Sequence, residues 1–300
     1  MSKRKIPVSA RKTSQLAESG DVKQKVIRLI GISLAGGKSD KACVAVLEYF
    51  TENKKLFLSR LFEKIKSEEK ISGDLKIHEL IEQNLETTSY VAFDTPWQIP
   101  NCMSCQKKCP GYENCHEPHI EWMWHYQNEK LGKKRPKKLF TPYTQRAVEM
   151  YLQTELEEPF QPHHAMGSNQ APLLARAAFI QRRLSADCIE VFPRLTIWRL
   201  GKALNLMKSQ LRGHREAFSG DEARKSFLQS LSENNLAFIY HQDFKQMTEN
   251  NHAFEAFICG LTAFLKLQGL TEKKPKGFPK NESWIEFPIK DIRIKDIIGS

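Results

Sequence analysis

No run of 18 or more apolar residues occurs in this 300-residue sequence, so it lacks a stretch long enough to cross a bilayer as a helix. Its opening, Met1-Ser2-Lys3-Arg4-Lys5, is basic but is not followed by the apolar core of a secretory signal. These two absences lead us to expect a soluble, intracellular, cytoplasmic protein without a membrane partner. Acid is also in short supply, with 35 Asp and Glu against 46 Lys and Arg and a formal net charge of +11. That balance favours anionic partners, nucleic acid ahead of a membrane surface. No internal repeat is visible. A disulfide framework is missing too: Cys102, Cys105, Cys109 and Cys115 crowd into one short segment, while Cys43, Cys188 and Cys259 sit in apolar runs as core residues.

What is present is a pattern of short apolar runs. Val26 to Leu34 and Ala42 to Leu47, joined by Ala35-Gly36-Gly37-Lys38-Ser39, predict a β-hairpin whose glycines permit positive φ. Lys55 to Phe62 extends this as a third strand, although its spacing also suits a helix. Leu75, Ile77, Leu80 and Ile81 predict an amphipathic helix over 75–86. The run Tyr90-Val91-Ala92-Phe93-Asp94-Thr95-Pro96 has no polar alternation, which marks a strand covered on both faces. Pro96 stops it and leaves Asp94 at the strand's C-terminal edge, where open α/β sheets place their ligands. Cys188-Ile189-Glu190-Val191-Phe192-Pro193 repeats the arrangement with a second acid. Helices are expected at 171–184, 195–211, 221–236 and 251–267, with a last short strand at Ser283 to Pro288. The expected organisation is a disordered basic tail (1–25), an α/β domain over 26–97 and 166–290, an insertion over 98–165, and a second tail (291–300).

Several blocks taken together resemble a family of uncharacterised proteins described as predicted nucleases of the ribonuclease H-like fold. They are Gly31-Ile32-Ser33-Leu34-Ala35-Gly36-Gly37-Lys38, Ala92 to Pro96, Gly167-Ser168-Asn169-Gln170-Ala171-Pro172, Glu190-Val191-Phe192-Pro193, Ala253-Phe254-Glu255-Ala256 and the Trp284 to Pro288 ending. The order of elements is also that of the ribonuclease H-like fold. The resemblance implies a mixed sheet with flanking helices, and a divalent-cation site where acids from the first strand, the fourth strand and the last helix converge. Two ions about 3.5–4 Å apart would there activate water for phosphodiester hydrolysis. Asp94, Glu190, Glu255 and His252 are the expected catalytic residues, the three acids as Mg2+ or Mn2+ ligands and His252 as ligand or proton carrier. His252 and Glu255, three apart, share a helical face. The chain departs from the pattern at Ser33, where the first strand is expected to carry an acid, and a serine does not supply a bridging carboxylate's charge. A catalytically inactive nucleic-acid-binding relative is therefore the alternative. A phosphotransferase of the actin-like type, whose first hairpin holds phosphate with a similar turn, is the second.

Three of the four site residues have a simpler reading beside them, whereas Glu255, embedded in apolar sequence, has none because an unpaired buried carboxylate is costly. Asp94 before Thr95-Pro96 is ordinary turn chemistry; Glu190 has Arg194 nearby as a structural partner; His252 is a residue at a helix start. The segment Cys102-x2-Cys105-x3-Cys109-x5-Cys115, followed by His116 and His119, has the composition of a tetrahedral Zn2+ site. An iron-sulfur cluster is its rival, since a cysteine-proline step occurs at Cys109-Pro110. Beyond it lie Trp122 and Trp124 and then a basic run in which Lys133, Lys134, Arg135, Lys137 and Lys138 are the expected nucleic-acid contacts. The tryptophans are expected to pack and the lysines to face a DNA or RNA partner.

Overall fold

The computed structural model describes residues 25–35, 41–84, 87–131, 140–156, 164–167 and 169–298, without the side chains of Lys130 and Leu131. Residues 1–24 of the expected N-terminal tail, residues 36–40 about the hairpin turn and the basic residues Lys133, Lys134, Arg135, Lys137 and Lys138 lie outside the described residues.

Three β-branched, leucine-rich runs form an antiparallel meander: β1 (Val26–Leu34), β2 (Ala42–Phe50) and β3 (Lys55–Ile65). The third run is thus a strand. Helix α1 (Gly73–Glu82) follows, its first turn capped by the Ser72 hydroxyl accepting from Leu75 N at 3.2 Å. Strand β4 (Thr88–Phe93) then lies parallel to β1, with Ile32 opposite Phe93. The insertion supplies α2 (Asn101–Ser104), a 3-10 turn (Tyr112–Asn114), α3 (Pro118–Leu131) and α4 (Ala147–Glu155). Next come α5 (Gln170–Gln181), β5 (Cys188–Val191) and α6 (Pro193–Ala203), which opens on a proline. The remaining elements are α7 (Lys208–Arg212), α8 (Gly220–Glu233), α9 (His241–Glu249), α10 (Asn251–Leu267), β6 (Ile285–Glu286) and α11 (Ile294–Ile298).

The six strands make one mixed sheet in the order β3-β2-β1-β4-β5-β6, with β4, β5 and β6 parallel to one another and to β1. Both faces are covered, as the unbroken apolar runs require. Ile30, Ile32, Val91 and Phe93 pack with Ile77 and Ile81 of α1 and Ala177 and Ile180 of α5. Leu29, Ala92, Ile189 and Leu47 face the other way, against α10 and α6. Helix α10 rests directly on β1. A Cβ at Gly31 would stand 2.0 Å from the Ala256 carbonyl oxygen and 2.4 Å from Gly260 N, so only glycine allows this approach.

Aromatic contacts sew the insertion to the C-terminal segment. Trp122 stacks on Tyr126 at 4.7 Å and meets Phe278 edge-on at 5.1 Å, while Trp124 meets Phe140 at 4.7 Å. One helical expectation needed revision and one helix was not foreseen. The run over 195–211 breaks at Asn205, whose φ is +59°, and α9 carries too few apolar residues to announce itself.

Candidate functional site

Asp94 follows β4 directly, and its amide continues the parallel ladder by donating to Ile32 O at 3.1 Å. The register therefore sets Ser33 and Leu34 beside its carboxylate. Leu34 N donates to Oδ1 at 3.2 Å, the Thr95 hydroxyl donates to Oδ1 at 2.8 Å, and the Ser33 hydroxyl donates to Oδ2 at 2.5 Å. Burial, and then the nearby Glu255 charge, push the Asp94 carboxyl above its ordinary range, against the pull of these three donors.

Helix α10 begins at the same edge. The Asn250 side chain caps it, accepting from His252 N at 3.0 Å and Ala253 N at 3.4 Å. Because α10 lies across β1, His252 Nδ1 reaches Ser33 Oγ at 2.9 Å. The serine proton is committed to Asp94, so Nδ1 is the donor in this contact. A neutral His252 of that tautomer keeps its lone pair on Nε2.

Glu255 lies one turn further on and is fully buried. Arg215 Nε donates to its Oε1 at 2.5 Å and Asn251 Nδ2 to its Oε2 at 3.1 Å. His214 Nε2 is 3.0 Å from Oε1 and carries the proton, since a carboxylate only accepts. Burial alone would raise Glu255; His214 and Arg215 overcome it and hold the carboxyl at about 2. Desolvation in turn keeps His214 below its usual value, against the pull of Glu255.

Ligand atoms of Asp94, His252 and Glu255 all lie within 4.8 Å of one another, and among the described residues they are the one such group of three. Their donor set of carboxylate oxygen and imidazole nitrogen suits Mn2+ better than Mg2+. A cleft beside them is lined by Asp94, Gln170, Glu190, Arg194 and Arg215. Arg194 is partly buried there, and burial followed by the Arg215 charge lowers its pKa.

Glu190 enters this cleft but not the ligand group. Phe93 pairs with Glu190 across β4 and β5, yet both carboxylate oxygens are held by buried Arg146, at 2.7 Å from Nη1 and 2.7 Å from Nη2. Its partner is therefore Arg146 of the insertion and not the neighbouring Arg194. Arg146 also binds Glu149 through Nε at 2.8 Å and Ser283 through Nη1 at 2.9 Å. Arg146, His214 and Arg215 are the polar residues that sequence reading missed. Nothing in their spacing marks them, because each meets its partner across 40 or more residues.

The four clustered cysteines line one cavity with His116 and His119. Cys105 and Cys109 are exposed, Cys102 and Cys115 half-buried, and no three of these donor atoms close to within 4.8 Å.

The fold and this edge define an α/β protein with a mixed six-stranded sheet and a carboxylate-imidazole cluster at the C-terminal ends of β1 and β4. Compared with known protein families, curated proteins and solved structures, the chain matches none. No helix among the described residues is long and apolar enough to cross a membrane.

Proposed function

We propose that the chain is a metal-dependent nuclease of ribonuclease H-like fold, hydrolysing phosphodiester bonds in nucleic acid. The observation that carries this reading is the convergence of Asp94, His252 and Glu255 at one sheet edge, beside a cleft lined by two arginines. The antiparallel meander joined through β1 to parallel strands supports the fold assignment. Asp94, His252 and Glu255 would hold the ion. When bound, a divalent ion supplies Lewis-acid polarisation of a phosphoryl oxygen and activation of water. Ser33 orients Asp94 and His252 toward each other, Arg215 offsets the Glu255 charge, and Arg194 is placed to pair with a backbone phosphate.

A second reading has its own support. A bridging acid is absent at Ser33, and Glu190 is neutralised by Arg146, which leaves one ion in place of two. A relative that binds nucleic acid without cutting it would look like this. The actin-like alternative gains nothing from one six-stranded sheet.

The test is a cleavage assay on single-stranded, duplex and branched nucleic acids with Mn2+ or Mg2+. We expect cleavage, faster with Mn2+, that falls at least about 100-fold in Asp94→Asn, because even outer partners of metal ligands are worth 10–100-fold. Salt-sensitive binding without cleavage would establish the second reading. Neither cleavage nor binding would overturn both.

A further inference from the structure

Independently of that centre, we infer that the insertion binds one Zn2+ ion through His119 Nε2 and the thiolates of Cys102, Cys105 and Cys115. His119 sits in the first turn of α3 and is only 9% exposed. Its Nε2 is buried without a hydrogen-bond partner among the described residues, an arrangement that is unfavourable unless something satisfies the nitrogen. The atom belongs to a side chain lining a cavity of about 240 Å3 together with all four clustered cysteines. A buried imidazole nitrogen and several thiols around one cavity form the donor set of a structural zinc site.

The neighbouring histidine is not equivalent. The His116 side chain is 90% exposed, and its Nδ1 contacts Glu121 Oε1 at 3.0 Å. Among the thiols, Cys102 and Cys105 have the two-residue spacing of a zinc knuckle. Cys115 stands four residues before His119 and, like Cys102, is half-buried. Cys109 is exposed and left over.

The segment also needs a fastening. Neither α2 nor the 3-10 turn at Tyr112–Asn114 fully buries a residue, and the packing of the turn rests on half-buried Tyr112 stacked on Trp124. Lys107 pairs with Glu117, which draws the Cys105 to Cys109 loop toward the start of α3. Asn101 Nδ2 donates to Glu282 Oε1 at 2.6 Å and ties the other end to the C-terminal segment. The donor atoms still stand too far apart for direct coordination, so binding closes the exposed Cys105 onto the buried His119. Zn2+ would thus order a loop that its own side chains leave loosely packed.

The test uses the full chain, purified without chelator. Metal analysis should find one zinc per chain, retained in Cys109→Ser and bound at least 10-fold more weakly in His119→Ala. Because His119→Ala could unfold the insertion for other reasons, His119→Cys is the companion variant. It should keep the metal while shifting the visible absorption bands of the Co2+-substituted protein toward those of all-thiolate coordination. Undiminished zinc in His119→Ala with an unchanged Co2+ spectrum would overturn the assignment. So would zinc loss in Cys109→Ser, an iron-sulfur chromophore, or wild-type chain without bound metal.

Discussion

At the scale of single residues, Ser33 decides what the cluster can do. It is fully buried and touches both Asp94 and His252, so an acid there would place a second carboxylate against Asp94. Like charges at that distance oppose each other unless a cation lies between them. Ser33→Asp should therefore lower the melting temperature in chelator and regain it with Mn2+, with a larger Mn2+-induced rise than in wild type. Glu190 makes the opposite case. If its role is to hold Arg146, Glu190→Gln should leave Mn2+ affinity within about two-fold. Arg146→Ala should cost roughly 3–5 kcal/mol in denaturant unfolding, because it leaves buried carboxylates unpaired. The same network gives a pH dependence. Burial pushes the Glu149 carboxyl from 4.5 up to about 7, against the pull of Arg146. Between those values the folded state holds a proton that the unfolded state has lost. Stability should then fall as pH rises from about 4.5 to about 7, by up to about 3 kcal/mol. Glu149→Gln should flatten that part of the curve.

At the scale of elements, the site depends on how closely α10 approaches β1. The helix delivers His252 and Glu255 only because Gly31 lets the Ala256 carbonyl lie against the strand. Gly31→Ala should push the two apart and cost 1–3 kcal/mol or more by overpacking; thermal unfolding measures it, and Mn2+ affinity should drop with it. Element reading from sequence succeeded where the pattern was strong and local. The apolar runs of β1, β2, β4 and β5 and the long apolar helix α10 were all legible, since burial on both sheet faces writes itself as unbroken hydrophobic sequence. It failed at α9 and within the insertion, whose helices α3 and α4 are held by aromatic contacts to distant segments such as Trp284 and Phe278. No local period encodes those contacts.

At the scale of the whole molecule, the net charge of +11 predicts binding to nucleic acid that weakens steeply with salt. Replacing Lys133, Lys134, Arg135, Lys137 and Lys138 with glutamine should reduce the slope of log affinity against log salt by up to about 4, at about 0.7–0.9 per phosphate contact. An unchanged slope would remove this run from the interface. Strands β1, β2, β4 and β5, the position of Asp94 at a strand end and the crowding of the cysteines were all legible before folding, because each is a local consequence of burial, proline placement or residue type. It took the folded chain to bring Asp94 to His252 and Glu255 and to give Glu190 to Arg146. Folding also leaves His119 Nε2 buried in the cysteine-lined cavity without a hydrogen-bond partner among the described residues, while the exposed His116 meets Glu121. Those outcomes rest on pairings across tens to hundreds of residues, fixed by strand register and by the seating of α10 on β1, and no neighbouring residue carries a sign of them.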